Sequence, residues 1–213
     1  MIQINTITTN ILRVQTYILQ DETRECVIID PGFQSDRERN SIDDFIKNQQ
    51  LTVKALWFTH LHLDHILGAQ HIIEKYNVET FACPDDRPLL IYNESFAKAW
   101  GIETPLYDLN IQHEVKDGDI LHFGNSNLKA INVPGHSRGS IVYYCEEQAF
   151  CIGGDTLFRG SIGRSDFYGG SESQLIDAIK EKILTLPDDT TIFPGHGYAT
   201  TVGDEKMFNP YLK

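Results

Sequence analysis

The segment Thr59-His60-Leu61-His62-Leu63-Asp64-His65 packs three imidazoles and one carboxylate into a short stretch of a 213-residue chain. Imidazole suits zinc and iron, and a carboxylate adds the anionic donor that a second divalent ion needs. In extended backbone His60 and His62 point to the same side and can chelate one ion. Asp64 and His65 fall where the chain turns toward a helix, so their side chains can point elsewhere and serve a neighbouring ion. The competing reading, solvated loop histidines, needs several metal-type residues to coincide by accident. Three further segments add donors: Pro134-Gly135-His136-Ser137, Gly153-Gly154-Asp155-Thr156 and Phe193-Pro194-Gly195-His196-Gly197. In each, glycine sits beside the donor and permits tight turns and close backbone approach. Singly each is an ordinary turn; with the first motif they make a ligand set. Five of the eight histidines lie in these segments, and His71, His113 and His122 are expected to be structural or on the surface.

The elements that must carry these donors are short strands and amphipathic helices. Strands are predicted at Arg13–Leu19, Glu25–Ile29, Lys54–Phe58, Ile120–Phe123, Leu128–Val133, Ile141–Cys145, Ala149–Ile152 and Thr191–Phe193. Helices are predicted at Asp36–Gln49, Ile66–Tyr76, from about Arg87 to Trp100, and from Ser171, where Ser171 and Gln174 fit a capping box ahead of Leu175, Ile176, Ile179 and Ile183. His60, Asp155 and His196 each follow a strand, where a rigid scaffold presents ligands. Hairpins mixed with strand-to-helix units predict an α/β sandwich with mixed sheets and outer helices.

Length and a 41% hydrophobic content allow one sizeable core, so a single domain over residues 1–213 is expected. The formal net charge of −12 disfavours a broad nucleic-acid surface. No secretory signal and no run long enough to span a membrane is visible. The four cysteines form no C-x-x-C pair and read as reduced thiols of a cytoplasmic protein.

The H-x-H-x-D-H string, the later His136, the Gly154-Asp155-Thr156 aspartate and the final Gly195-His196-Gly197 resemble the metallo-β-lactamase superfamily, over nearly the whole chain from Asp30-Pro31-Gly32 to His196. The resemblance implies an αβ/βα four-layer sandwich with the metals at one edge. Gly154-Asp155-Thr156-Leu157-Phe158 and Gly195-His196-Gly197-Tyr198 are most similar to the glyoxalase II-like hydrolases. By that resemblance His60, His62 and His136 hold a first metal, Asp64, His65 and His196 a second, and Asp155 bridges both. The ions would be zinc foremost, with iron or manganese as alternatives. The implied reaction is hydrolysis of a thioester such as hydroxyacylglutathione by a hydroxide bridging the two metals, with Asp64 orienting the nucleophile. Arg164 in Arg159–Phe167 and Tyr198 are implied contacts of a glutathione-type substrate; a guanidinium fork suits a carboxylate. Arg164 has a plainer alternative role, a salt bridge to Asp166. β-Lactamases of the commonest subclass carry cysteine at the position of Asp155. The helical domain that follows the sandwich in full-length glyoxalase II enzymes has no counterpart after Tyr198, so a short branch is expected, as monomer or homodimer.

Two rival chemistries use the same residues. A mononuclear iron glutathione-persulfide dioxygenase would draw its ligands from His60, His62, His136 and Asp155, but the relatives of that kind usually lose a glycine beside the last histidine, and Gly195-His196-Gly197 is intact. Gly135-His136-Ser137-Arg138-Gly139 also fits the G-x-S-x-G of serine esterases, with Asp155 or Asp166 and His196 following in order. A nucleophile elbow needs a helix after its serine, whereas Gly139-Ser140-Ile141-Val142-Tyr143-Tyr144 reads as strand.

Overall fold

The computed structural model of the protein describes residues 1–99, 102 and 109–213. A six-stranded sheet is formed by β1 (Gln3–Thr9), β2 (Val14–Gln20), β3 (Glu25–Ile29), β4 (Thr52–Trp57), β5 (Glu79–Ala82) and β6 (His113–Glu114), in that spatial order. Its first three strands pair antiparallel and the rest parallel. The second sheet draws on β7 (Ile120–Phe123), β8 (Ser126–Asn132), β9 (Ile141–Cys145), β10 (Phe150–Gly154), β13 (Thr191–Pro194) and β14 (Thr200–Thr201), in the order β14-β13-β10-β9-β8-β7. A separate ribbon pairs β11 (Leu157–Phe158) with β12 (Ser161–Ile162).

Alternation along the central strands sorts their side chains into layers. In β3, Cys26 and Ile28 face outward to an apolar cluster that includes Ile42 and Ile46 of α1 (Asp36–Asn48), Ile66 of α2 (Leu63–Ile66), Ile72 of α3 (Ala69–Tyr76) and Leu89 of α4 (Arg87–Ala99). Val27 and Ile29 of the same strand face inward, with Trp57 of β4, Tyr143 of β9 and Ile152 of β10, and fill the space between the sheets. Val142 and Tyr144 of β9 turn the other way, onto Leu175 and Ala178 of α5 (Glu172–Ala178), the π-helical turn Ile179–Ile183 that follows, and Val202 of α6 (Val202–Phe208). The result is the expected α/β four-layer sandwich: helices, sheet, sheet, helices. Trp57 sits at the middle of the inner layer, its ring 5.3 Å from that of Tyr143.

Strands Glu25–Ile29, Ile120–Phe123 and Ile141–Cys145 coincide with their predicted spans. The helix predicted over Ile66–Tyr76 is instead two, α2 and α3, broken at Leu67-Gly68. A Cβ on Gly68 would lie 2.5 Å from the Phe33 ring, and the Gly68 N–H donates to the Pro31 carbonyl at 2.7 Å, so the chain must approach the loop after β3 there. Ser171 caps α5 by accepting from the Gln174 N–H. The end of the helix predicted to Trp100 lies outside the described residues. All four cysteines are free and buried; Cys145 faces the inner layer and Cys151 the outer one, on opposite faces of one sheet. Among the described residues no helix is long and apolar enough to cross a membrane.

The two sheets are also joined by polar bonds at the edge where β4 ends. The Tyr143 hydroxyl donates to the Phe58 carbonyl at 2.8 Å, and the Ile141 N–H to the Thr59 carbonyl at 2.7 Å. Tyr143→Phe leaves the Phe58 carbonyl buried without that donor. Urea unfolding is expected to show a loss of about 1–3 kcal/mol at unchanged slope.

Candidate metal centre

Four loops reach this edge from strand ends: His60 after β4, His136 after β8, Asp155 after β10 and His196 after β13. Asp64 and His65 stand on the first turn of α2. His62 Nδ1 lies 2.8 Å from His136 Nε2, which lies 3.2 Å from His60 Nε2. His196 Nε2 is 3.3 Å from Asp64 Oδ2, and His65 Nε2 is 3.8 Å from the same oxygen. Asp155 stands between the two groups. Its Oδ1 is 3.5 Å from His65 Nε2, and its Oδ2 is 3.5 Å from His196 Nε2 and 3.7 Å from His136 Nε2.

The outer ring nitrogens fix which atoms face inward. His65 Nδ1 donates to Asp30 Oδ2 at 2.9 Å, His136 Nδ1 to the Arg164 carbonyl at 2.6 Å, and His196 Nδ1 to the Leu12 carbonyl at 2.9 Å. Thr59 Oγ1 donates to Asp30 Oδ2 at 2.5 Å, and so accepts from His60 Nδ1 at 3.1 Å. Each of these four rings therefore turns its Nε2 inward, the usual arrangement of metal-ligating histidine.

The donor set fits divalent ions. His62 Nδ1 and His60 Nε2 lie 2.8 and 3.2 Å from His136 Nε2, so three ring nitrogens crowd one point. Tetrahedral bonds of about 2.0–2.1 Å would set such nitrogens about 3.3 Å apart. His65 Nε2 and Asp155 Oδ1 are buried, face one another and have no hydrogen-bond partner. Among the described residues three triads have donor atoms close enough for one ion: His60, His62 and His136; Asp64, His65 and His196; and Asp30, His60 and His65. In the last, the Asp30 carboxylate is already committed to Thr59 and His65, which makes it a support of the other two.

Electrostatics divide the groups in the same way. Burial, and after it the neighbouring imidazoles, lowers the pKa of His60 and His62, the latter to about 3; burial lowers that of His136 too. Burial also pulls His65 and His196 down, but Asp64, Asp155 and Asp30 outweigh it and lift His65 to about 9, and Asp155 and Asp64 lift His196 to about 10. Burial would raise Asp155, yet His65, His196 and His136 hold its carboxyl well below the ordinary range. Gly195 is required by crowding here: a Cβ would fall 2.1 Å from Asp155 Oδ1 and 2.8 Å from His65 Cε1.

All seven residues predicted as ligands thus meet at one place. Arg164 lies at the rim. Its Nε and Nη2 donate to Asp166 at 2.8 and 2.7 Å, and these bonds hold the Asp166 carboxyl down at about 2. Its guanidinium covers the Phe167 ring at 4.1 Å, and that ring packs against His62 at 5.2 Å. The salt bridge that sequence offered as the plainer role of Arg164 is therefore formed. The Tyr198 side chain is 79% exposed. His71 pairs with Asp43 and His113 with Glu79, both away from the centre. Ser137 is buried and donates to Asp86 at 2.8 Å, and β9 rather than a helix follows it, so it is no nucleophile elbow. Asp30, Asp86, Thr59 and Phe167 were not singled out as site residues; the Asp30-Pro31-Gly32 turn, where Asp30 has φ +52°, was the one signal for any of them.

The profile of the metallo-beta-lactamase superfamily matches residues 10–196. This chain belongs to the metallo-β-lactamase superfamily. It is 34% identical to hydroxyacylglutathione hydrolase GloC of Haemophilus influenzae, over 92% of this chain and 91% of that protein. Among solved structures it is similar to the B3 metallo-beta-lactamase BLEG-1, with TM-score 0.89 and 32% identity over 99% of this chain and all of that one. It is likewise similar to TTHA1623 in a di-iron-bound form, with TM-score 0.86 and 31% identity over 98% of this chain and all of that one. The superfamily is generally one of metal-dependent hydrolases, and this chain has His and Asp side chains positioned to bind metal.

To ligate, His65 and His196 must give up the protons that their carboxylate neighbours retain. Zinc uptake by the metal-free protein is expected to release protons near neutral pH, and its apparent affinity to rise between about pH 6 and pH 8. Calorimetry in buffers of different ionisation enthalpy reads both; a flat affinity profile would count against ligation by this pair.

Proposed function

We propose that the protein is a dinuclear metal-dependent thioester hydrolase acting on hydroxyacylglutathione or a similar glutathione thioester. His60, His62 and His136 would hold one cation, Asp64, His65 and His196 the other, and Asp155 both. The observation that carries this reading is the position of Asp155, whose two carboxylate oxygens lie within 3.7 Å of nitrogens belonging to both triads. The similarity to GloC supports the substrate class, and the di-iron form of TTHA1623 supports two ions. Zinc fits the donor set, and so do iron and manganese.

Bound there, two cations would lower the pKa of a water and polarise a substrate carbonyl. The chain's own groups do the rest. Asp64 is partly exposed, its side chain 17% accessible, so its carboxylate can accept a hydrogen bond from the attacking water and orient it. A thiolate leaves with little need of protonation, so no dedicated acid is required at the sulfur. Asp166 occupies the Nε–Nη2 edge of Arg164, which leaves Nη1 to meet a substrate carboxylate, and exposed Tyr198 is the second contact proposed for it.

The first test is metal content and turnover on one sample. Two metals per chain and chelator-sensitive hydrolysis of S-lactoylglutathione are expected. One iron per chain, with oxygen uptake on glutathione persulfide and no hydrolysis, would replace this reading by a dioxygenase. Turnover of a β-lactam but not of the thioester would replace it by a β-lactamase. In the same assay Arg164→Ala is expected to raise KM about tenfold with kcat nearly unchanged, the signature of lost ground-state binding.

A further inference from the structure

The main chain between His60 and His62 is held by the segment around α4. The Leu61 N–H donates to Asp86 Oδ2 at 3.2 Å, and the Leu61 carbonyl accepts from Asn93 Nδ2 at 2.6 Å. Asp86 ends the 3-10 turn Pro84–Asp86 that leads into α4, and Asn93 stands on α4. The same Asp86 reaches the other loop of the three-histidine group. Its Oδ2 also accepts from Ser137 Oγ at 2.8 Å, and its Oδ1 accepts from the Gly139 N–H at 2.6 Å. Asp86, Asn93 and Ser137 are all buried. A Cβ on Gly139 would lie 2.8 Å from the Asp86 carboxyl carbon, so the carboxylate fits there only against glycine. The serine and the second glycine of Gly135-His136-Ser137-Arg138-Gly139 are thus the receptor of a buried acid.

We propose that Asp86, assisted by Asn93, is a positioning residue for the three-histidine half of the centre, clamping the His60–His62 segment to the His136 loop so that cation affinity at this half, and not at the Asp64–His65–His196 half, depends on it. The inference rests on the metal-centre reading above. One carboxylate gathers three donors from two ligand loops, and no residue of equal size can copy it. In Asp86→Asn the amide nitrogen faces the Gly139 N–H in one orientation and the Leu61 N–H in the other. Either way two donors oppose each other and one ligand loop is pushed off. The second half is supported separately, by Asp30 on His65 and by the Leu12 carbonyl on His196.

The test measures cation affinity by chelator competition in two backgrounds. His196→Ala leaves the three-histidine group intact, and His136→Ala leaves the other. Adding Asp86→Asn is expected to weaken zinc binding about ten- to a hundredfold in the first background, the usual effect of removing a support of a ligand, and to change it less than about twofold in the second. Unchanged affinity in the first background, or equal weakening in both, overturns the inference while the hydrolase reading stands. If the His196→Ala chain takes up no zinc, the metal-centre reading itself fails and this inference with it. Should Asp86→Asn not fold, Ser137→Ala removes one donor without opposing two. A loss of about threefold confined to the first background is then expected, within the usual cost of one hydrogen bond, and no change there overturns the clamp.

Discussion

The structure turns on a carboxylate with one buried oxygen. Asp155 sits among His65, His136 and His196 with one oxygen lacking any hydrogen-bond partner. An anion in such a place is costly unless positive charge stands beside it. Protonated His65 and His196 supply that charge in the protein alone, and cations would supply it in the metallated protein. Everything around Asp155 serves to keep those partners in place: the glycine at 195 that lets the loop close in, the carbonyls of Leu12 and Arg164 that fix two rings, and the Asp30 and Asp86 carboxylates beneath.

The arrangement also explains why two sheets are needed. The first sheet brings His60, His62, Asp64 and His65, and the second brings His136, Asp155 and His196. Neither half of the ligand set lies on one sheet. The inner layer of Trp57, Tyr143, Val27, Ile29 and Ile152 holds the sheets face to face, and the bonds from Tyr143 and Ile141 pin the edge at which the loops meet. Packing in the middle and hydrogen bonds at the edge thereby set the distances within the centre.

Much of this was legible in the residues. The ligands announced themselves because a metal centre needs rare donor types at tight spacing, and because each follows a strand. Strands such as β3 and β9 were legible because they are runs of Cys, Val, Ile and Tyr, with only Glu25 charged, bounded by turns. Other features carried no local signal. β1 was not foreseen, because Ile4 and Ile7 break the alternation and its pattern is half exposed. The split of α2 from α3 depends on Phe33, thirty-odd positions away from Gly68. The role of Asp86 is invisible for the same reason: its three donors are distant in sequence, and Pro84-Asp85-Asp86 reads locally as a turn. Arg164 was legible as a cation, but its ion pair and its ring partner emerge only from the loop's conformation.

The spread of the ligands along the chain has a consequence for how the protein is made. His60 to His65 are synthesised long before His136, Asp155 and His196, and Asp155 belongs to the last third. A nascent chain carries four of the seven donors without their partners, since His60 and His62 need His136, and Asp64 and His65 need His196, to complete either triad. On the proposed ligand set, metal acquisition would be deferred until synthesis has passed residue 196. Truncated or stalled chains would hold cations only loosely, and a tight centre would be a mark of a completed sandwich.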